Sequence, residues 1–213
     1  MKTRSKALLL TLCAVVLVIA TVFGTMAYLT STDKVENTFT VGSVAIKLDE
    51  AKANPDGTLV EGADRVKANS YKLLPGHTYN KDPMVTVLNG SEASYIKMTV
   101  TFSKASALDA IFAPTGADLT SIFNGYDSTN WIYKDNTKDA TADTRTYEFW
   151  YKETVGAPTA DVALDALFDS ITVPGTITNE QLATIEGMTI TVNAYAIQAD
   201  GFDNAEAAWA AFN

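Results

Sequence analysis

The strictest constraint on this chain is a period of two. From Tyr95 to Phe102 the side chains alternate so that Ile96, Met98, Val100 and Phe102 share one face while Lys97, Thr99 and Thr101 share the other. A helix cannot segregate residues in that way, whereas a pleated strand does so at every step, and the stretch therefore predicts a half-buried β-strand. Met188, Ile190, Val192 and Ala194 alternate with Thr189, Thr191, Asn193 and Tyr195 and predict a second. Alternation recurs at Phe39 and Val41 and again at Val44, Ile46 and Leu48; its phase changes at Gly42-Ser43, which predicts a bulge or kink there. Met84 to Leu88 runs through Asn89-Gly90 towards the Tyr95 strand and predicts a hairpin with a loop of several residues. Trp131 to Tyr133 and Thr146 to Lys152 supply more strand. There Tyr147, Phe149 and Tyr151 share one face and Trp150 lies on the other, a pattern that predicts burial on both sides.

Short helices are expected between these strands, each opened by a capping residue. Ser106-x-x-Asp109 precedes Ile111 and Phe112, Asp161 precedes Leu164, Leu167 and Phe168, and Thr178-x-x-Gln181 precedes Leu182 and Ile185. Near the end, Asp203-x-x-Glu206 would cap a helix whose Ala205, Ala208, Trp209 and Phe212 form one stripe, a face suited to docking on the chain's own sheet. The polar tracts 49–69 and 135–144 read as loops. The body is thus all-β with short helical insertions and a C-terminal helix, and at 213 residues with no tract resembling a linker it reads as one domain after its leader.

The leader is Met1 to Ala27. Lys2, Arg4 and Lys6 precede an uncharged stretch from Ala7 to Phe23, and small residues stand at Thr25 and Ala27, the pattern of a secretory signal peptide cut between Ala27 and Tyr28. The alternative is a retained membrane anchor, because 17 uncharged residues make a helix of about 26 Å, just enough for a thin bilayer. Cleavage would leave a domain of residues 28–213. The leader carries three bases and no acid, so its loss moves the net charge from −9 to −12 and removes Cys13, the sole cysteine. Such a domain is stabilised by its core rather than by disulfides. An acidic chain also lacks the basic footprint that nucleic acid requires.

Chemistry is sparsely represented. One histidine, His77 in the Pro75-Gly76 turn, excludes an H-E-x-x-H site, and there is no G-x-S-x-G elbow, P-loop or dinucleotide fingerprint. Asp135, Asp139 and Asp143 are spaced by four, but Ala140 and Thr146 stand where a calcium loop needs its glycine and its bidentate glutamate, so a solvated acidic loop is expected. Asn89-Gly90-Ser91 matches a glycosylation acceptor, although a turn already accounts for Asn-Gly. The residues single out no catalytic group, metal site or cofactor.

Gly24-Thr25-Met26-Ala27-Tyr28-Leu29-Thr30, followed by Asn37-Thr38-Phe39-Thr40-Val41-Gly42-Ser43-Val44, resembles the TasA/camelysin group of exported biofilm-matrix proteins, which are processed by the SipW-type signal peptidase. Leu74-Pro75-Gly76, the strand ending in Asn89-Gly90-Ser91 and the late strand from Ile190 to Ile197 extend the likeness. The resemblance implies a jelly-roll-like β-sandwich, export, processing by a signal peptidase and, for the TasA branch, assembly into extracellular fibres. Camelysin has been classed as a metallopeptidase, but a catalytic zinc ordinarily takes three protein ligands and a single histidine leaves only carboxylates.

These readings converge on a secreted structural protein of the extracellular matrix, tied to the membrane only before processing. Tyr28 to Thr38 holds only Leu29 and Val35 as strongly apolar residues, too few to fold alone, and would serve as a donor strand that adds to the sheet of another copy before Phe39 enters its own. Because donor and acceptor are different surfaces, such a contact repeats without closing and makes a filament. Other matrix proteins or cell-wall glycans are further partners compatible with the sequence. A glycan-binding module would instead display Trp131, Tyr133, Tyr147 and Trp150 as an open platform. A secreted hydrolase would show converging carboxylates with raised pKa in a cleft.

Overall fold

The computed structural model describes residues 6, 11–16, 42–112 and 121–212. The chain divides into two compact units, Met1–Val41 and Gly42–Asn213. In the first, residues 11–16 are helical. The cleavage pair Ala27 and Tyr28, the donor residues Leu29, Val35 and Phe39, and Val41, which precedes the expected kink at Gly42-Ser43, lie outside the described residues.

The second unit is mostly strand. Its elements are β1 (Ile46–Asp49), β2 (Thr78–Asn80), β3 (Met84–Val87), β4 (Ser94–Ser103), α1 (Ala105–Phe112), β5 (Trp131–Asp139), β6 (Thr144–Tyr151), β7 (Val162–Ala163), β8 (Ser170–Thr172), α2 (Asn179–Thr184), β9 (Ile190–Gln198) and α3 (Ala205–Ala210). They form three antiparallel sheets in the orders β1-β3-β7, β2-β8 and β5-β6-β4-β9. This is an all-β architecture with few, short helices.

Alternation along β4 builds the core. Ile96, Met98, Val100 and Phe102 are fully buried and meet Tyr147 and Phe149 of β6 on one side and Val85 and Val87 of β3 on the other. Phe123, from the segment before β5, fills the centre: its ring lies 5.8 Å from Phe102, 5.2 Å from Tyr147, 5.8 Å from Phe149 and 4.7 Å from Phe168. Edge-on and tilted ring pairs of this kind add to the stabilisation from burial.

Three elements differ from the sequence-based expectation. Met84–Val87 and the Tyr95 strand are not a hairpin, because β3 pairs with β1 and β7 while β4 pairs with β6 and β9. The Asn89-Gly90 turn instead carries the chain from one sheet to another, so that both strands present apolar side chains to the same core. No helix forms at 161–168: Leu164 and Leu167 donate their N–H groups to Val85 and Pro83 carbonyls, and strand pairing outweighs the local helical signal. The tract 135–144 is not a loop throughout, since β5 extends to Asp139 and returns through a tight turn into β6. As a polar edge strand it lacks the apolar alternation that marks a buried one.

The caps show how neighbours replace local signals. Thr178 and Gln181 form the expected capping box of α2. α3 begins one residue later than expected, with Asn204 accepting from the Ala207 N–H. At α1 the Ser106–Asp109 box does not form. Asp143 from the β5–β6 turn accepts from the Ser106 N–H (2.9 Å) and hydroxyl (2.8 Å) through its carboxylate, and from the Ala105 N–H (2.9 Å) through its carbonyl. Asp109 is thereby free to take Arg145 and Lys138 as ion-pair partners.

The 49–69 tract is largely loop, as expected, and a polar cluster fastens it to the sheets. Arg65 bridges Asp49 (2.5 Å) and Asp82 (2.7 Å), Lys81 meets Glu50 at 2.5 Å, and Asn69 joins the same glutamate at 3.0 Å. Gly57 adopts φ +91 and lies so close to β2 that a Cβ would sit 2.7 Å from the Tyr79 Cα, so only glycine lets the loop dock there. Burial works against the charge of Asp49, but hydrogen bonds from Lys47 and Arg65 outweigh it and hold the carboxyl below its ordinary range.

Two outcomes follow from this packing. Phe123→Ala is expected to lower unfolding free energy by about 3–5 kcal/mol in urea titrations, since four aromatic neighbours lose their common partner. Because the Asp49 pKa is lower folded than unfolded, its stabilisation is complete above the unfolded value near ~4 and is lost as pH falls through the folded one. Asp49→Asn should therefore flatten the acid limb of stability measured against pH, and an unchanged limb would contradict the role given to this carboxylate.

Candidate functional site

β9 ends the four-stranded sheet, and its register decides which backbone groups face outward. Ser103 N–H donates to the Thr189 carbonyl (3.0 Å) and Ala199 N–H to the Ala93 carbonyl (2.7 Å), so odd-numbered residues from 189 to 199 bond β4. In an antiparallel ladder the intervening residues then point their N–H and C=O groups away. Ile190, Val192, Ala194, Ala196 and Gln198 thus present a row of donors and acceptors that find no partner strand among the described residues.

The other sheet edges are shorter or blocked. β7 is two residues long. β5 carries Lys134, Asp135, Lys138 and Asp139 along an exposed edge, and charges there discourage pairing with another chain. On β1 the outward groups of Glu50 pair with Val66 (2.9 and 2.8 Å), and the Lys67 ammonium donates to the Leu48 carbonyl. Among the described residues, β9 is the long edge left without such protection.

Beside that edge the core is incompletely covered. Met188, Ile190, Val192, Ala194 and Ala196 from the β9 side and Ile46 and Leu48 from β1 all pack on the core yet are only partly buried, and the two strands touch. A seam of apolar side chains therefore runs next to a row of open backbone groups. An added strand finds both things it needs there: a ladder to extend and apolar surface to cover.

The aromatic residues lie elsewhere. Trp131 and Tyr147 are 1% exposed, and Trp131 donates its indole N–H to the Asp165 carbonyl. Tyr133 is partly buried against Phe149 with its hydroxyl accepting from Asn136. Trp150 lies under α3, 6.2 Å from Trp209, with the Lys134 ammonium 4.0 Å from its ring centre. The stripe on α3 docks on the chain's own sheet as expected: Ala208 and Trp209 are buried, and the Lys97 ammonium stands 4.6 Å from the Trp209 ring. These rings are packing elements and form no open row.

The remaining candidates are similarly engaged. His77 is exposed in its turn. Asp139 accepts from the Thr141 and Ala142 N–H groups and Asp143 from Ser106, contacts that hold both carboxyls below their ordinary range. Among the described residues, no group of three or more His, Cys, Asp or Glu side chains is arranged to hold a metal ion. Every carboxyl there whose pKa clearly departs from the ordinary range departs downward, the opposite of what a general acid in a hydrolase needs. Ser91 is buried, and its hydroxyl both donates to the Ala45 carbonyl and accepts from the Ala45 N–H.

The chain matches no protein-family model, no curated protein and no solved structure. Two features of the site carried no local signal in the sequence. Which strand ends a sheet depends on pairing between distant segments. The Glu50, Asn69 and Lys81 constellation joins three positions that share no motif spacing. The shrinking apolar series Ile190, Val192, Ala194 and Ala196 was the available hint that β9 leaves part of the core open.

Proposed function

We propose that this is a secreted structural protein of the extracellular matrix, a jelly-roll-like β-sandwich related to the TasA/camelysin group, which assembles with its own copies by strand addition. The observation that carries this reading is the β9 edge, with its outward backbone row beside the partly covered seam of Ile46, Leu48, Ile190 and Val192. A signal peptidase cuts between Ala27 and Tyr28, and the freed segment Tyr28 to Thr38 adds to the β9 edge of a neighbour. Membrane attachment through residues 7–23 restrains that segment before cleavage, which makes processing the trigger. A net charge of −12 after processing keeps subunits apart in solution until the directional contact forms. Buried aromatics favour this structural role over a glycan-binding platform, and the downward-shifted carboxyls favour it over hydrolysis.

Negative-stain microscopy of three forms tests the proposal. The processed chain should form fibres, while a form lacking residues 28–38 and an Ala194→Pro variant should remain single particles. Ala194 directs its N–H away from β4, so proline there removes an edge donor without breaking the ladder. Fibres of undiminished length from either variant would contradict the proposal, as would a processed wild-type chain that stays monodisperse under all conditions.

A further inference from the structure

The polar cluster beneath the 49–69 tract contains a constellation that goes beyond ionic fastening. Lys81 is 8% exposed and Glu50 5%, and the Lys81 Nζ lies 2.5 Å from Glu50 Oε2. The other oxygen of that carboxylate, Oε1, accepts from Asn69 Nδ2 at 3.0 Å. A single buried carboxylate thus touches an amine and a side-chain amide at once. The amide orientation is settled by its partners, because Nδ2 also donates to the Ala51 carbonyl (2.8 Å) while Oδ1 accepts from the Ala53 N–H (2.9 Å). Tyr71 adjoins the group: burial and the Glu50 charge push its phenol above its ordinary pKa.

We propose that Lys81 and Asn69 join in an intramolecular amide cross-link, with Glu50 as its catalytic acid and base. In the reacting form a proton passes across the 2.5 Å contact from Lys81 Nζ to Glu50 Oε2, leaving an uncharged amine beside an uncharged acid. The amine lone pair attacks Asn69 Cγ. Negative charge gathers on Oδ1, where the Ala53 N–H is already in place as a donor. The Cγ–Nδ2 bond then breaks as the Nζ–Cγ bond is completed. Of the three ammonium protons of Lys81, one stays on the new amide nitrogen and two pass through Glu50 to Nδ2, which departs as ammonium. Glu50 ends as it began, and no oxidant or reductant takes part. Amines attack free amides slowly, and it is the shared Glu50 carboxylate, bonded to both groups, that raises their effective concentration here. Asn69 and Lys81 both line a cavity of 930 Å³, which gives the leaving group an exit.

The bond would close a short covalent loop from Asn69, the last residue of the 49–69 tract, to Lys81 just past β2. Constraining the unfolded chain in this way stabilises the folded one by the same logic as a disulfide, and a chain with one cysteine has no internal disulfide to use.

Mass spectrometry of the purified full chain, with its first residue fixed by N-terminal sequencing, tests the proposal. The expected intact mass is one ammonia below that of the sequence. Proteolysis should yield a branched peptide joining the Asn69 and Lys81 segments, with no tryptic cut after Lys81. Lys81→Arg, Asn69→Ala and Glu50→Gln should each restore the full mass; should any of these fail to fold by circular dichroism, the branched wild-type peptide alone decides. Folded wild type of full mass, with Lys81 in linear peptides, would overturn the cross-link. So would ammonia loss confined to a succinimide at Asn89-Gly90 or Asn124-Gly125 with Lys81 still cleaved by trypsin.

Discussion

Four apolar side chains on one face of β4 set the position of everything else in the second unit. With Ile96, Met98, Val100 and Phe102 fully buried, that face must meet β3, while Lys97, Thr99 and Thr101 must turn to the opposite side. A shift of one residue would exchange the two sets, so the register admits no slippage. β6 and β9 then take fixed places beside β4. The outward row on β9 follows from that register, because the residues that bond β4 leave the alternate groups pointing away from it.

Part of the outer face of the same sheet is covered by α3, through Trp209 against Trp150 and Lys97. What the described residues leave without a partner strand is the β9 edge. Ionic fastening of the 49–69 tract has a complementary effect, since Val66 pairs with Glu50 just past β1 and Lys67 takes the outward Leu48 carbonyl. One edge is therefore partly covered by the chain itself and another carries charge, and among the described residues β9 has neither. Under the proposed function, such selective blocking gives a subunit one acceptor and hence a filament rather than branched aggregates.

Strands with strict alternation were legible in the sequence, because burial of one face leaves its mark at every second residue. β4 and β9 appear where Ile96 to Phe102 and Met188 to Ala194 predict them, and Trp150 is covered on the face opposite Tyr147 and Phe149. What the sequence concealed was partnership between distant segments. Leu164 and Leu167 have helical spacing but bond their N–H groups to Val85 of β3 and to Pro83 just before it, and Asn89-Gly90 makes a turn without making a hairpin. Asp143 caps α1 from a turn 37 residues away, in place of the local Asp109. The candidate site divides in the same way. The apolar side chains of β9 were readable, whereas its edge position and the meeting of Glu50, Asn69 and Lys81 depend on contacts that no local window contains.

Amide hydrogen exchange along β9, read residue by residue in the single subunit and in the assembled form, addresses the central claim most directly. The account predicts alternation in the subunit, with Thr191, Asn193, Tyr195 and Ile197 protected by β4 and Ile190, Val192, Ala194 and Ala196 exchanging quickly, and uniform protection of all eight after assembly. Assembled material in which the even-numbered amides still exchange quickly would contradict it.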